Sequence, residues 1–136
     1  MNNAINPLAV WHEVVETGNV GLLADILSDD VVFISPVVHT HQKGKAITQL
    51  YLSAAAKVFN SGDFKYVREY LDDTGAIMEF ETQVDGVYVN GVDMLRWNEA
   101  GLLTEFKVML RPLQAVNLLH QKMGEMLMAL KVKPGP

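Results

Sequence analysis

The sequence predicts an α+β domain, with helices in its first half, a curved antiparallel sheet after them and an extra helix at the C-terminal end. Three observations carry this reading. Apolar residues recur at helical spacing up to about residue 59 and then alternate with polar ones; Asp and Gly turn signals cut the later segment into hairpin-length pieces; and past Pro112 the helical spacing returns. The 136 residues fit a single domain, residues 1–136, with a core over about 7–112 and the additional helix over about 113–131. At this length a chain buries roughly two-thirds of the surface it exposes when unfolded, so one core suffices without staples.

Residues 7–17 place Leu8, Trp11, Val14 and Val15 on one helical face, with Pro7 suited to a first helical position and Gly18 to a stop. A shorter helix is expected over 20–27, capped by Asn19 and carrying Leu22, Leu23, Ile26 and Leu27. Asp29 and Asp30 then break the pattern. Residues 31–35 are β-branched and aromatic before Pro36, which favours a strand. A third helix, 45–59, aligns Ile47, Leu50, Tyr51, Ala54 and Val58 and stops at a turn over 60–63.

Four strands follow, 64–71, 76–84, 87–98 and 102–111, separated by Asp72-Asp73-Thr74-Gly75, Asp85-Gly86 and Glu99-Ala100-Gly101. Consecutive hairpins make a meander. In the second of these strands Met78, Phe80, Thr82 and Val84 alternate with Glu79, Glu81 and Gln83, so one face is buried and the other wet. The last helix, 113–131, shows Val116, Leu119, Met123, Met126, Leu127 and Leu130 on one side. Helices on one face of such a sheet make an α+β architecture.

Composition excludes several function classes. The chain has no cysteine, which removes disulfides, thiolate metal sites and cysteine nucleophiles. Its formal net charge is −5 and its 11 Lys and Arg are scattered, so no basic stripe answers a row of phosphates and no nucleic acid is expected. The glycines form neither a phosphate loop nor a dinucleotide-binding turn, and no cofactor is expected. Residues 1–7 do not read as a signal peptide and no apolar run approaches the ~20 residues of a membrane span, so a cytoplasmic, membrane-free setting is expected.

On the strand 87–98, pattern and chemistry disagree. Val89, Gly91, Asp93, Leu95 and Trp97 share the more apolar face, so Asp93 points at the core. An ionised carboxylate there without partners costs several kcal/mol, so the group must be hydrogen-bonded, paired, or protonated with a raised pKa. A carboxyl in that position is either a site residue or a member of a structural network.

Three stretches in this order resemble a known family: Gly18-Asn19-Val20 up to Asp30, then Ser35-Pro36-Val37 with Gly44, then 92–98 followed by the Ala100-Gly101 turn. Over about 7–112 the chain resembles the SnoaL-like and ketosteroid-isomerase-like branch of the nuclear transport factor 2-like superfamily. The resemblance implies a cone, a bent sheet wrapped around a long helix and enclosing a pocket open at one end, and a homodimer through the outer sheet face. It also implies that Asp93 corresponds to the protonated oxyanion-hole aspartic acid of the ketosteroid isomerases. Their general base is replaced by Ser35, and their first-helix tyrosine by Trp11. A serine hydroxyl is no base near neutral pH without a helper, so steroid isomerisation by that route is not expected. Limonene-type epoxide hydrolysis is not expected either, because the arginine it needs is Gly91.

His39 and His41, in the loop before Gly44, are the candidates to replace the lost base, since histidine exchanges protons near pH 7. They could equally be solvated loop residues, and a metal site is not expected because no third ligand has recognisable spacing. By strand parity the pocket lining is Phe33, Ser35, Met78, Phe80, Leu95, Trp97, Phe106, Val108 and Leu110, with Trp11 and Val15 from the first helix. That lining suits an apolar or aromatic small molecule. Two functions remain open: an isomerase, cyclase or dehydratase using acid/base chemistry, or a non-catalytic binding domain of the same fold.

Overall fold

The computed structural model describes residues 6–60 and 63–130. Helix α1 (Pro7–Thr17) starts where the Asn6 side chain accepts from the Ala9 N–H at 3.2 Å, and it ends at Gly18, whose φ of 73° lets its N–H reach the Val14 carbonyl at 2.8 Å. The segment after it corrects the expected second α-helix. It is a 3-10 helix, Val20–Asp25, and the Asn19 side chain makes no capping bond. Leu27 belongs instead to strand β1 (Leu27–Ile34), because Ile26 and Leu27 are drawn into the core and the Leu103 N–H bonds the Ile26 carbonyl at 2.6 Å.

Asp29 and Asp30 are exposed on a break in β1, and the Ser28 hydroxyl donates to Asp30 there at 2.6 Å. Strand β2 (Gln42–Lys43), absent from the sequence reading, returns antiparallel against Val32 and Phe33. Helix α2 (Lys45–Val58) buries Thr48, Tyr51, Leu52 and Ala54.

Strands β3 (Lys65–Leu71), β4 (Gly75–Val84), β5 (Val87–Trp97) and β6 (Leu103–Arg111) form the expected meander. The Asp85-Gly86 turn, with φ of 50° and 79°, joins the paired Val84 and Val87, the hand that hairpin twist favours. The six strands run β2-β1-β6-β5-β4-β3 in one curved, unclosed sheet. One pairing departs from the antiparallel expectation: β1 lies parallel to β6. It advances from Leu27 to Val32 while β6 advances only from Leu103 to Glu105, so the slack holds the two aspartates out of the ladder.

Helix α3 (Leu113–Ala129) packs on α2 and on strands β5 and β6, and Lys122 meets Asp85 at 2.6 Å. Two apolar clusters result. The larger joins Trp11, Leu23, Ile26, Met78, Leu95 and Phe106 at one end of the cone, with Leu127 from α3. The smaller joins Phe80, Val84, Val89, Ala115 and Leu119.

Candidate functional site

A cavity of about 580 Å³ lies inside the concave face of the sheet, bounded by members of both clusters. Trp11, Phe33, Phe80, Phe106 and Leu110 supply apolar wall, and Leu119 and Met123 bring α3 over it. Exposed Glu16, Thr17 and Gly18 at the end of α1 and Lys57 and Asn60 at the end of α2 form its rim. The extra C-terminal helix thus supplies part of the wall.

Asp93 is 5 % exposed and lines this cavity from the middle of β5, paired with Met78 on one side and Val108 on the other. One of its oxygens accepts the Tyr66 hydroxyl at 2.5 Å, and the Tyr66 oxygen in turn accepts the Trp11 indole N–H at 2.8 Å. The first-helix position, Trp11 in place of the family's tyrosine, therefore acts at one remove. Trp11 fixes a tyrosine that arrives from β3.

Burial pushes the Asp93 carboxyl up from 3.8 to about 7, against the Tyr66 hydrogen bond, which lowers it. Tyr66 is held well above its ordinary range, chiefly by burial and then by the neighbouring Asp93 charge, so it remains a donor. No other hydrogen bond to the Asp93 carboxyl exists among the described residues. Near pH 7 the carboxyl can thus be presented either as a donor or as an acceptor.

Tyr66 is the site residue that the sequence reading missed. It is the one residue of β3 that is not exposed, and it sits opposite Phe80, which in turn sits opposite Gly91. The available signal was the strand parity that located Asp93. A shift of register between Tyr66 and Arg68 spoils that parity over the rest of β3.

Of the expected lining residues, Trp11, Val15, Phe33, Ser35, Phe80, Phe106, Val108 and Leu110 reach the cavity. Met78, Leu95 and Trp97 do not and are corrected. Met78 and Leu95 are packed into the larger cluster, while Trp97 donates its indole N–H to the Asp73 carbonyl at 2.8 Å. They share the face of Asp93 but lie where core side chains close the cone.

His39 and His41 lie elsewhere. The loop between Phe33 and its β2 partner Gln42 carries both to exposed positions, and neither lines the cavity. His12 lies outside it too, paired with Glu69 at 2.7 Å. Among the described residues no cluster of His, Asp or Glu could hold a metal ion, and no helix is long and apolar enough to cross a membrane.

Gly91 has a structural reason to lack a side chain. A Cβ there would lie 2.4 Å from the Phe80 ring and 2.9 Å from Leu110. The ring that covers it stacks on Phe64 at 4.8 Å and meets Phe59 edge-on at 5.7 Å, forming an aromatic end wall.

No family model and no curated protein matches the sequence. Solved structures do. A steroid Δ-isomerase from Pseudomonas aeruginosa is 30% identical over 92% of this chain and 91% of its own, with a TM-score of 0.87. An uncharacterised bacterial protein with a cystatin-like fold from Silicibacter pomeroyi is 29% identical over 93% of this chain and 89% of its own, with a TM-score of 0.83. A protein from Shewanella denitrificans described as a SnoaL-like polyketide cyclase shares the fold at 15% identity, with coverage of 90% and 94% and a TM-score of 0.61. The order of strands, the cone and the first of these relatives agree: the chain belongs to the nuclear transport factor 2-like superfamily, in its SnoaL-like and ketosteroid-isomerase-like branch.

Proposed function

We propose that the cavity binds an apolar, partly aromatic small molecule and that Asp93 hydrogen-bonds a carbonyl oxygen of it, favouring an enol-like state, as an isomerase, cyclase or dehydratase requires. The observation that carries this reading is the Asp93 carboxyl, held at the wall of an apolar cavity with Tyr66 as its partner and a pKa of about 7. A protonated carboxyl in a dry site donates to developing negative charge without having to reorganise. Above its pKa the same group offers only acceptors to a carbonyl.

The ketone 2-acetylnaphthalene tests this, because its oxygen only accepts. Its affinity should fall roughly tenfold or more between about pH 5.5 and 8.5, with a midpoint near 7. Asp93→Asn, which keeps a donor, should bind it without that pH dependence, and Asp93→Leu should bind it weakly at both values. Equal binding by wild type and both variants, independent of pH, would contradict the assignment.

The positions of His39 and His41 favour a second reading, a binding domain without catalysis, since no histidine lines the cavity. The two readings differ in one measurement. Exchange of the probe's methyl protons with D2O, accelerated by wild type and lost in Asp93→Leu, marks catalysis of enolisation. Binding without accelerated exchange marks the binding domain.

The proposal includes a homodimer through the convex sheet face. There Ile77 stands opposite Met94 and Val92 opposite Met109, with Ile77 and Met109 45% and 48% exposed. Adjacent apolar side chains on an otherwise charged face support the reading. Sedimentation should give a dimer for wild type and a monomer for Met109→Lys; a wild-type monomer at tens of micromolar would refute it.

A further inference from the structure

The cavity holds a second polar position with a fixed sense. Ser35, the residue after β1, accepts the backbone N–H groups of Val37 at 3.1 Å and Val38 at 3.3 Å on its hydroxyl oxygen. A hydroxyl has two lone pairs and one proton, so with both lone pairs engaged it can only donate. Among the described residues no acceptor takes that proton, and Ser35 lines the cavity. The serine-for-carboxylate exchange at this position thus does more than delete a base. It installs a donor.

Its place relative to Asp93 follows from the strand registers. Phe33 pairs with Phe106 and Ile34 with Lys107, so the next residue, Ser35, continues the row toward Val108, and Val108 pairs with Asp93. Two strand spacings put the two backbones roughly 10 Å apart, on a concave face that brings their side chains closer. A ligand lying over Val108 meets the Ser35 donor at one end and the Asp93 carboxyl at the other.

We infer that the ligand is a fused-ring or similarly sized apolar molecule carrying two oxygen acceptors roughly 6–9 Å apart, one read by Asp93 and one by the Ser35 hydroxyl. This rests on the Asp93 reading above and adds the second oxygen. It selects against hydrocarbons of the same shape, because these would cover the Ser35 donor without giving it a partner.

The test compares 2-acetyl-6-methoxynaphthalene with 2-acetyl-6-ethylnaphthalene, which match in size and differ in the distal acceptor. Wild type should prefer the methoxy compound roughly three- to tenfold. Ser35→Ala should bring the ratio to about one, and Ser35→Thr, which keeps a hydroxyl, should restore it. Both affinities are read in the same variant, so a change in the Val37–Val38 turn that affects binding generally cancels. A wild-type ratio of one overturns the inference even if Ser35→Ala does not fold, and so does a preference that persists in Ser35→Ala. Either result leaves the Asp93 reading standing if 2-acetylnaphthalene still binds with its pH dependence; loss of that dependence defeats the Asp93 reading itself.

Discussion

Between about pH 5 and pH 8 the melting temperature should fall, and Asp93→Asn should remove most of that fall. The sign follows from where the proton sits. The folded carboxyl titrates at about 7 and the unfolded one near 3.8, so between those values the native state holds a proton that the unfolded chain has released. The favourable contribution is complete below about pH 4 and is lost as pH rises through 7. A rise of that size corresponds to about 4 kcal/mol over the whole window at 1.36 kcal/mol per tenfold change in proton affinity, of which about 3 kcal/mol is lost above pH 5. For a chain of this length the loss is on the order of 10 °C in Tm.

Asn cannot ionise, so the Asp93 part of the fall should vanish from its stability curve, and its Tm at pH 8 should exceed that of wild type. Tyr66→Phe supplies the complementary result. It removes the one hydrogen bond that lowers the carboxyl's pKa, so the midpoint should move up by roughly one to two pH units in a carboxyl carbon NMR titration. A wild-type Tm independent of pH, matched by Asp93→Asn, would show the carboxyl to be ionised throughout.

The second large effect is expected at Gly91. Adding one methyl group there drives a Cβ to 2.4 Å from the Phe80 ring, which is almost fully buried and stacked on Phe64. The ring borders the cavity, so making room for the methyl means leaving its stacked place on Phe64. Gly91→Ala should cost roughly 1–3 kcal/mol or more in denaturant unfolding, the range for overpacking. Phe80→Leu alone should also destabilise, by leaving a void. The double variant should lose less than the sum, because the smaller side chain gives the methyl its space. Strict additivity, or a neutral Gly91→Ala, would show that the close approach does not govern this position.

Much of this architecture was legible because periodicity reports which face a residue occupies. The switch from helical to alternating spacing located the meander, Asp85-Gly86 located a hairpin, and parity on β5 turned Asp93 inward. Parity does not report depth along a cone. Met78, Leu95 and Trp97 were assigned to the correct face and the wrong end, where packing rather than space is found. Nor does local pattern report partners from distant segments. The Leu22, Leu23, Ile26 and Leu27 spacing suits a helix, yet the Ile26 carbonyl is taken by Leu103 and the chain is already becoming a strand. Tyr66 stayed hidden because the rest of β3 is exposed and slips register just after it, leaving one inward residue with no alternating neighbours to reveal it.

The parallel pairing of β1 with β6 also sets an order of events in time. Hairpins β3–β4, β4–β5 and β5–β6 can close soon after their residues are synthesised, since each needs only a short turn. Strand β1 has no such neighbour apart from the two residues of β2, and it must wait until the chain has been made as far as Leu103. Through most of translation the apolar residues Leu27, Val31 and Phe33 are therefore without the strand that will cover them. Long-range closure of this kind is slow and exposes a sticky edge meanwhile. Asp29 and Asp30, held outside the ladder in the finished molecule, place two negative charges within that waiting strand, where they oppose its pairing with another nascent chain.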